Sequence, residues 1–388
     1  VTRVAFLMTH TDFSWVGGIN YIRNLVRAIH LAPERRLEPV LIAPPGVPDE
    51  ILRQFPDTDL IRSDEIADRR SQRVKRKLWR LATGVDRPLE RVLRRHGISL
   101  VSHSWHVDRS ADIASVEWIP DFQHRHLPAF FSESELSARD RAYRKTAQRC
   151  SALILSSQTA MNDLASFYPP AVAKSHVLHF CSSMGGSTAA TPADELERKY
   201  AIGEPYFHLP NQFWAHKNHR VVIDALAHLR ARGRRPLVLC TGHTNDSRNP
   251  GHFDELMRHA AAQGVADTFR VLGLVPFGDL HGLLQGAVAV INPSLFEGWS
   301  STVEESKALG KAVILSDLPV HREQAPPRGA FFAADDPHAL GRCMAEALDA
   351  FDPQVELAER AAAALAHEQS FREFGRAYQD IVARVISA

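Results

Sequence analysis

The chain has 388 residues, 45% of them apolar and 23% charged, with a formal net charge of +1; these are values of a soluble globular protein with core enough for two ordinary domains or one large one. No apolar run approaches the roughly 20 residues of a membrane-spanning helix. The four cysteines, Cys150, Cys181, Cys240 and Cys343, are scattered without a C-x-x-C pair, which argues against a disulfide framework or zinc site and fits a reducing cytoplasm.

Residues 4–8 read as a first strand, reached without a charged leader or cleavage pattern, so no secretory signal is expected. Gly17 and Gly18 lie between it and a helical pattern, Ile19, Ile22, Leu25, Val26 and Ile29; a glycine pair there lets backbone approach a ligand closely. Residues 39–43 form a second strand. Between Arg69 and Arg95 stand eleven Lys/Arg against two acids, Asp86 and Glu90. Val74, Leu78, Leu81 and Val85 give this segment one apolar helical stripe, with Arg70, Arg73, Lys77 and Arg80 on a neighbouring face and Trp79 close by. Asp86 can cap a second helix ended by Gly97. The ordinary expectation is a solvated helical face packed on the first domain. The sharper one is attraction to anionic lipid headgroups, at about 1 kcal/mol per cation. Nucleic acid is disfavoured, because interleaved aromatics and a known binding motif are lacking.

Short apolar strands follow at 99–102, 116–119, 152–155 and 177–180, most of them separated by helical stretches. Residues 182–193 are small, polar and glycine-containing, as in a linker. A second alternation then has strands at 206–209, 237–240, 270–272, 287–291 and 313–315, and a helix closes the chain with Phe374, Tyr378, Ile381 and Val385 on one face. This pattern predicts an α/β protein with parallel sheets covered on both faces. Its two Rossmann-like domains, 1–185 and 195–369, face each other across a cleft, and the C-terminal helix, about 370–388, is able to fold back onto the first. Ligands in such folds bind at the carboxyl ends of the strands.

Three loops carry chemistry. In the first, Glu297 and Glu305 bracket a strand–loop–helix junction, with Gly298 where a side chain would obstruct a ligand. The helix start offers backbone N–H groups to an anion. Thr302 with Glu305, or Ser301 with Glu304, also fits a capping box, so the element alone reads equally as a well-capped helix. In the second, Lys217 can reach a phosphate and Asn218 can cap the following helix, with Phe213 and Trp214 in the same polar loop. The third is the glycine pair, which is neither G-x-G-x-x-G nor a P-loop, since Gly310-Lys311 is followed by Ala312.

Together these features resemble the family-4 retaining glycosyltransferases of the GT-B fold. The resemblance rests on the Glu-x7-Glu pair within PSLFEGWSSTVEESKALGKAVILSD, on QFWAHKNH at 212–219, on GLVPFGDLHGLL at 273–284 and on GGINYIRNLVRAI at 17–29, in family order over essentially the whole chain. It implies a hexosyltransferase using a UDP-, GDP- or dTDP-linked sugar, without metal or other cofactor, on a glycan or lipid-linked acceptor, as in bacterial surface polysaccharide synthesis. By resemblance Glu305 takes the ribose hydroxyls and Glu297 the transferred sugar. Ser300, Ser301 and Thr302 present amides, Lys217 neutralises the diphosphate, Leu274 and Val275 hold the base, and Gly18 approaches phosphates or acceptor.

Two departures stand out. Relatives commonly carry Arg five residues before the lysine, where this chain has Gln212. A unit charge pair about 4 Å apart is worth roughly 4 kcal/mol at an effective dielectric near 20, so His216, Arg220 or Arg322 is expected to compensate. Many relatives also have His-Asp after a first-domain strand, where Pro120-Asp121 stands here; His124 or Gln123 is expected to serve the acceptor side with Asp121. The pair His124 and His126 lacks a nearby third metal ligand. A cytoplasmic enzyme, peripheral on the inner membrane face through residues 69–95, follows. The rival readings are a nucleotide-sugar epimerase or hydrolase on the same fold and a non-catalytic sugar-binding protein.

Overall fold

The computed structural model describes residues 1–8, 16–55, 57–67, 69–104, 113–182 and 189–387, apart from the side chains of Val16 and Arg73. The side chain of Arg73 on the basic face and residues 183–188 of the linker therefore lie outside what is described. The chain divides into two compact units, Val1–Phe122 with Ser134–Cys181 and Glu368–Ala388, and Gln123–Glu133 with Ser182–His367.

In the first unit seven strands form one parallel sheet: β1 (Thr2–Leu7), β2 (Leu37–Ala43), β3 (Asp59–Arg62), β4 (Leu100–Ser102), β5 (Ala114–Ile119), β6 (Ala152–Leu155) and β7 (Ser175–Val177). Their order is β3-β2-β1-β4-β5-β6-β7. Val4, Ala5 and Phe6 of β1 are wholly buried in succession, as a central strand covered on both faces requires. The edge strand β3 has no counterpart in the sequence reading. Its Asp-Leu-Ile-Arg run is mostly exposed and has no apolar stretch to betray it. The strand read at 177–180 is displaced to β7, and Gly17 and Gly18 fall in the first turn of the helix Val16–Leu31 rather than before it.

The final helix, Pro353–Ser387, contributes its residues from Glu368 onward to this unit. Phe371, Phe374, Tyr378, Ile381 and Val382 are buried. Gly375 allows the fit, because a Cβ there would overlap the backbone of Ala28. Tyr378 Oη donates to Ser102 Oγ at 2.7 Å, Ser102 Oγ lies 2.7 Å from His103 Nδ1, and His103 Nε2 lies 3.0 Å from Tyr21 Oη. Burial drives the His103 pKa down to about 3, so the ring is neutral. A neutral ring donates through one nitrogen and accepts through the other, so His103 bridges the Ser102 and Tyr21 hydroxyls.

The second unit has six parallel strands: β8 (Tyr206–Leu209), β9 (Leu237–Thr241), β10 (Phe269–Gly273), β11 (Val290–Asn292), β12 (Val313–Ser316) and β13 (Gly329–Phe332). Their order, β10-β9-β8-β11-β12-β13, repeats that of the first unit up to its sixth strand. The apolar run 287–291 enters the ladder in two pieces. Val288 N–H donates to Tyr206, and His208 N–H to Ala289, before β11 proper begins. Both sheets are doubly wound, so the fold class expected from the alternation is the one observed: two Rossmann-like α/β domains. None of the four cysteines forms a disulfide, and among the described residues no helix is long and apolar enough to cross a membrane.

Candidate active site

Strands β8 and β11 are neighbours in the second sheet although β9 and β10 separate them in sequence. The winding direction reverses between them, which opens a crevice beyond their carboxyl ends. The two loops leaving those ends, 210–218 and 293–300, carry Lys217 and Glu297. Four contacts stitch the first loop to the second and to the end of β11. Leu295 N–H donates to the His216 carbonyl at 2.8 Å. Asn218 Nδ2 donates to the Pro293 carbonyl at 3.1 Å. Asn211 Nδ2 donates to Asn292 Oδ1 at 3.0 Å, and Lys217 Nζ to Glu297 Oε1 at 2.6 Å. Asn218 stands at the N-cap of the helix His219–Ala231, as the sequence suggested, but its side chain makes no capping hydrogen bond. It sits at φ 56°, a left-handed conformation that Asn tolerates, and its amide also reaches the Ala334 carbonyl at 2.8 Å. Behind the first loop Gly242, at φ 142°, packs so closely that a Cβ would stand 2.6 Å from the Asn211 carbonyl. Only glycine combines that conformation with that approach.

Lys217 and Glu297 are both mostly buried, with side chains 16% and 11% exposed. Burial opposes ionisation of Glu297, but the Lys217 and His321 charges and hydrogen bonds from Lys217 and Ser294 outweigh it, holding the carboxyl at about 2. His216 takes the opposite course, pushed down to about 3 by burial and by Lys217. It is therefore neutral and cannot replace a missing cation. Arg220 lies 3.9 Å from Asp224, and Arg322 holds Asp317 at 2.6 and 3.0 Å while covering the Phe331 ring. Gln212 is exposed.

The helix Ser301–Ala308 starts one residue earlier than the Ser301 box requires and two earlier than the Thr302 box requires. Ser300 is its N-cap, and its hydroxyl accepts from Val303 N–H. The third helical position is then Val303, so neither expected box forms. Glu304 turns to Gln324 Nε2 at 2.9 Å and Lys307 Nζ at 3.1 Å, and Glu305 accepts from Ser182 Oγ at 3.1 Å. Gln324 clamps the loop end: its Oε1 accepts from Ser300 N–H at 3.1 Å and its Nε2 donates to the Ser300 carbonyl at 3.0 Å. With the Ser300 amide engaged, Ser301 and Thr302 supply the first-turn N–H groups that neither the cap nor Gln324 uses.

Lys217, Glu297, Ser300, Ser301, Thr302 and Glu305 thus lie on the loops and helix that follow the central strands β8 and β11. Leu274 follows β10 and is largely exposed, while Val275 packs beside the Leu196–Tyr206 cluster. Gly18 is buried in the first unit. Asp121 falls in the first unit and His124 in the second, in the short helix Gln123–His126. His124 is buried, and the His126 ring stands 5.2 Å from that of Phe296. Among the described residues no group of three His, Cys, Asp or Glu could hold a metal ion.

Sequence reasoning missed the supports of this site. Asn292 and Ser294 pass as strand-end residues, and Gln324 lies in a different helix, Pro319–Gln324. His321, in that helix, is fully buried. Its Nδ1 donates to the Ser316 carbonyl at 2.7 Å, and its Nε2 has no partner among the described residues. No local signal marks these residues, because their partners are set by the sheet.

Residues 193–364 match the family of glycosyl transferases group 1. The whole chain is similar in structure to a glycosyltransferase from Rickettsia africae ESF-5, with 14% identity, a TM-score of 0.67 and coverage of 99% of this chain and 98% of that one. It is also similar to Anabaena HepE in complex with UDP and glucose, with 14% identity, a TM-score of 0.67 and full coverage of both chains. Sucrose-phosphate synthase from Thermosynechococcus elongatus has 13% identity and a TM-score of 0.65, over 99% of this chain and 97% of that one. No curated protein matches the sequence. The fold is GT-B, and with the matched domain the chain is a glycosyltransferase.

Proposed function

We propose that the chain is a retaining family-4 enzyme that moves a hexose from a nucleoside-diphosphate sugar to a glycan or lipid-linked acceptor in bacterial surface polysaccharide synthesis. The observation that carries this reading is the Lys217–Glu297 pair, 2.6 Å apart at the winding reversal and beside the helix that begins at Ser301. A UDP-linked donor is favoured by the HepE complexes with UDP and with UDP-glucose. In this reading Lys217 leaves or bridges Glu297 to meet the diphosphate, and the Ser301 and Thr302 amides face the same anion, stabilising the charge that grows as the sugar–phosphate bond breaks. Glu297 accepts from hydroxyls of the departing sugar and Glu305 from the ribose. Leu274 and Val275 flank the base. The acceptor oxygen bonds to the anomeric carbon on the face the diphosphate leaves, and its proton passes to the leaving phosphate, so configuration is kept. Lys217 and the helix start carry the anion without a metal. Asp121 and His124 serve the acceptor side, and Gly18 approaches the phosphates or acceptor. The enzyme works in the cytoplasm, at the inner face of the membrane.

Thermal shift against UDP, GDP, dTDP and ADP, and then their sugars, tests the donor. Ligand at 100 times its Kd raises stability by about 2.7 kcal/mol, and a chain stabilised by none of the four contradicts the reading. Mass spectrometry of the donor incubated alone then separates transfer from hydrolysis or epimerisation. NMR of the product decides retention.

A further inference from the structure

The helix Arg70–Thr83 in the first unit is amphipathic the wrong way round. Its apolar stripe, which the sequence reading packs inward, faces solvent: Val74 is 50% exposed, Leu78 60% and Leu81 74%, with Trp79 at 40%. Scattered exposed apolar residues are ordinary, but three aligned on one helical face are not. The helix is held instead by its charged side. Arg76, 8% exposed, donates to Asp86 at 2.5 Å, and Arg80 meets the same carboxylate at 2.9 Å. Asp86 also caps the next helix, Arg87–Arg95, through Leu89 N–H. That second helix buries Leu89, Val92 and Leu93 in the core, whereas no side chain of Arg70–Thr83 belongs to a described core cluster. At about 100° per residue, Leu78 and Leu81 lie within about 40° of Val74, and Arg76 about 160° away.

We infer that this helix is a membrane-contact element that lies flat in the interface of an anionic bilayer, with Val74, Leu78 and Leu81 toward the acyl chains. The charges choose the occupant. Arg70, Lys75 and Lys77 are exposed around the stripe and have no acidic partner among the described residues. A second copy docked through this face would set those cations against their equivalents, because a twofold interface pairs a patch with itself. Anionic headgroups complement them, and the long Lys and Arg stems allow the ammonium and guanidinium groups to stay at the headgroup level while the stripe sinks about 5–10 Å. Fourteen residues span about 21 Å, enough for a shallow contact and too short to cross. The inference deepens the peripheral-membrane part of the proposed function and does not depend on its glycosyl transfer.

The test is co-sedimentation of the full chain with vesicles of phosphatidylcholine alone and of equal parts phosphatidylcholine and phosphatidylglycerol, without donor or acceptor. Binding is expected only to the mixed vesicles, and weaker at high salt. The double change Lys75→Ala/Lys77→Ala should lower partitioning about 25-fold, a factor of about five per cation. Leu78→Gln/Leu81→Gln keeps every cation and should still abolish binding, which separates insertion from attraction alone; Leu78→Glu/Leu81→Glu repeats the test with a stronger change. Both apolar variants should keep the native circular dichroism and the nucleotide-dependent thermal shift, because the altered side chains are exposed and remote from the Lys217 loop in sequence. No binding to anionic vesicles overturns the inference. So does binding indifferent to Leu78 and Leu81, or a dimer that these substitutions split. Loss of the nucleotide response alone would count against the donor reading and leave the membrane element standing.

Discussion

The Lys217–Glu297 pair permits a quantitative test by double-mutant cycle. The Glu297 carboxyl is held at about 2 against an ordinary 4.5, and at 1.36 kcal/mol per unit the difference corresponds to about 3 kcal/mol. A depressed folded pKa contributes stability that is complete above pH 4.5 and is lost as pH falls toward 2. At pH 7, Glu297→Gln should therefore destabilise the second unit by about 3 kcal/mol, and Lys217→Met by a similar amount, since each leaves the other charge stranded in a largely buried site. The double variant should cost less than the sum of the two singles by about 1–3 kcal/mol, the usual range for residues in direct contact. Urea titrations of the four proteins, followed by the transition of the second unit, measure this coupling. Additivity within about 0.5 kcal/mol would refute the reasoning, because it would mean that the pair is not coupled in solution. The functional companion is donor binding. Glu297→Gln releases Lys217 from its carboxylate, so nucleoside-diphosphate affinity should hold or rise while turnover falls. Unchanged sugar transfer would remove Glu297 from the sugar site.

Gln212→Arg restores a cation to the first loop; because His216 is neutral and Arg220 and Arg322 already face aspartates, donor affinity should rise at least tenfold, and calorimetry showing no gain would mean that another group compensates. Gln324→Leu leaves the Ser300 N–H unmatched in a buried place and should lower stability by about 1–3 kcal/mol. With the loop unclamped, kcat should fall more than tenfold in steady-state assays, and wild-type turnover would deny Gln324 a positioning role. Burial holds His208 and His219 at about 3, so their contribution is complete above pH 6.5 and declines as the unfolded chain takes up protons below it. At pH 5 each should cost about 2 kcal/mol; equal urea midpoints at pH 7 and pH 5 would contradict this.

The central strands were legible because burial on both faces writes them as continuous apolar runs, and the 152–155 and 206–209 strands coincide with β6 and β8. Edges were not. The strand β3 is exposed and mixed in character, and β13 is a bare Gly-Ala-Phe-Phe after a proline-rich turn. Of the site, Lys217 and Glu297 stood out because each interrupts a strand-to-helix passage with a residue type suited to phosphate or sugar. The supports did not stand out. Gln324 lies 24 residues from Ser300 and Asn211 lies 81 from Asn292, and such pairings are created by strand order, which periodicity does not disclose. The apolar stripe at Val74, Leu78 and Leu81 was legible as a pattern, but not in its direction. A 3.6-residue period gives the face and not what it faces, and here Asp86 drew the arginine side inward.

The starting point of one helix settles the fate of three carboxylates. Had Thr302 been the cap, Glu305 would have been tied to the backbone at the third helical position; had Ser301 been the cap, Glu304 would have been. Ser300 takes that place because Asn292 Nδ2 donates to its hydroxyl at 2.8 Å and Gln324 fixes its amide and carbonyl. The third position then falls to Val303, which has no polar group to give. Glu304, buried, is drawn to Gln324 and Lys307 and becomes part of the scaffold. Glu305, one residue on and about 100° around the helix, accepts from Ser182 and has no capping duty that a ribose would need to displace. Glu297, before the helix, is left to Lys217. A substitution that moved the cap, such as Ser300→Ala, would therefore do more than remove one hydrogen bond worth about 1 kcal/mol. It would return Glu304 or Glu305 to competition for the backbone and disturb the division of roles on which the proposed donor site depends.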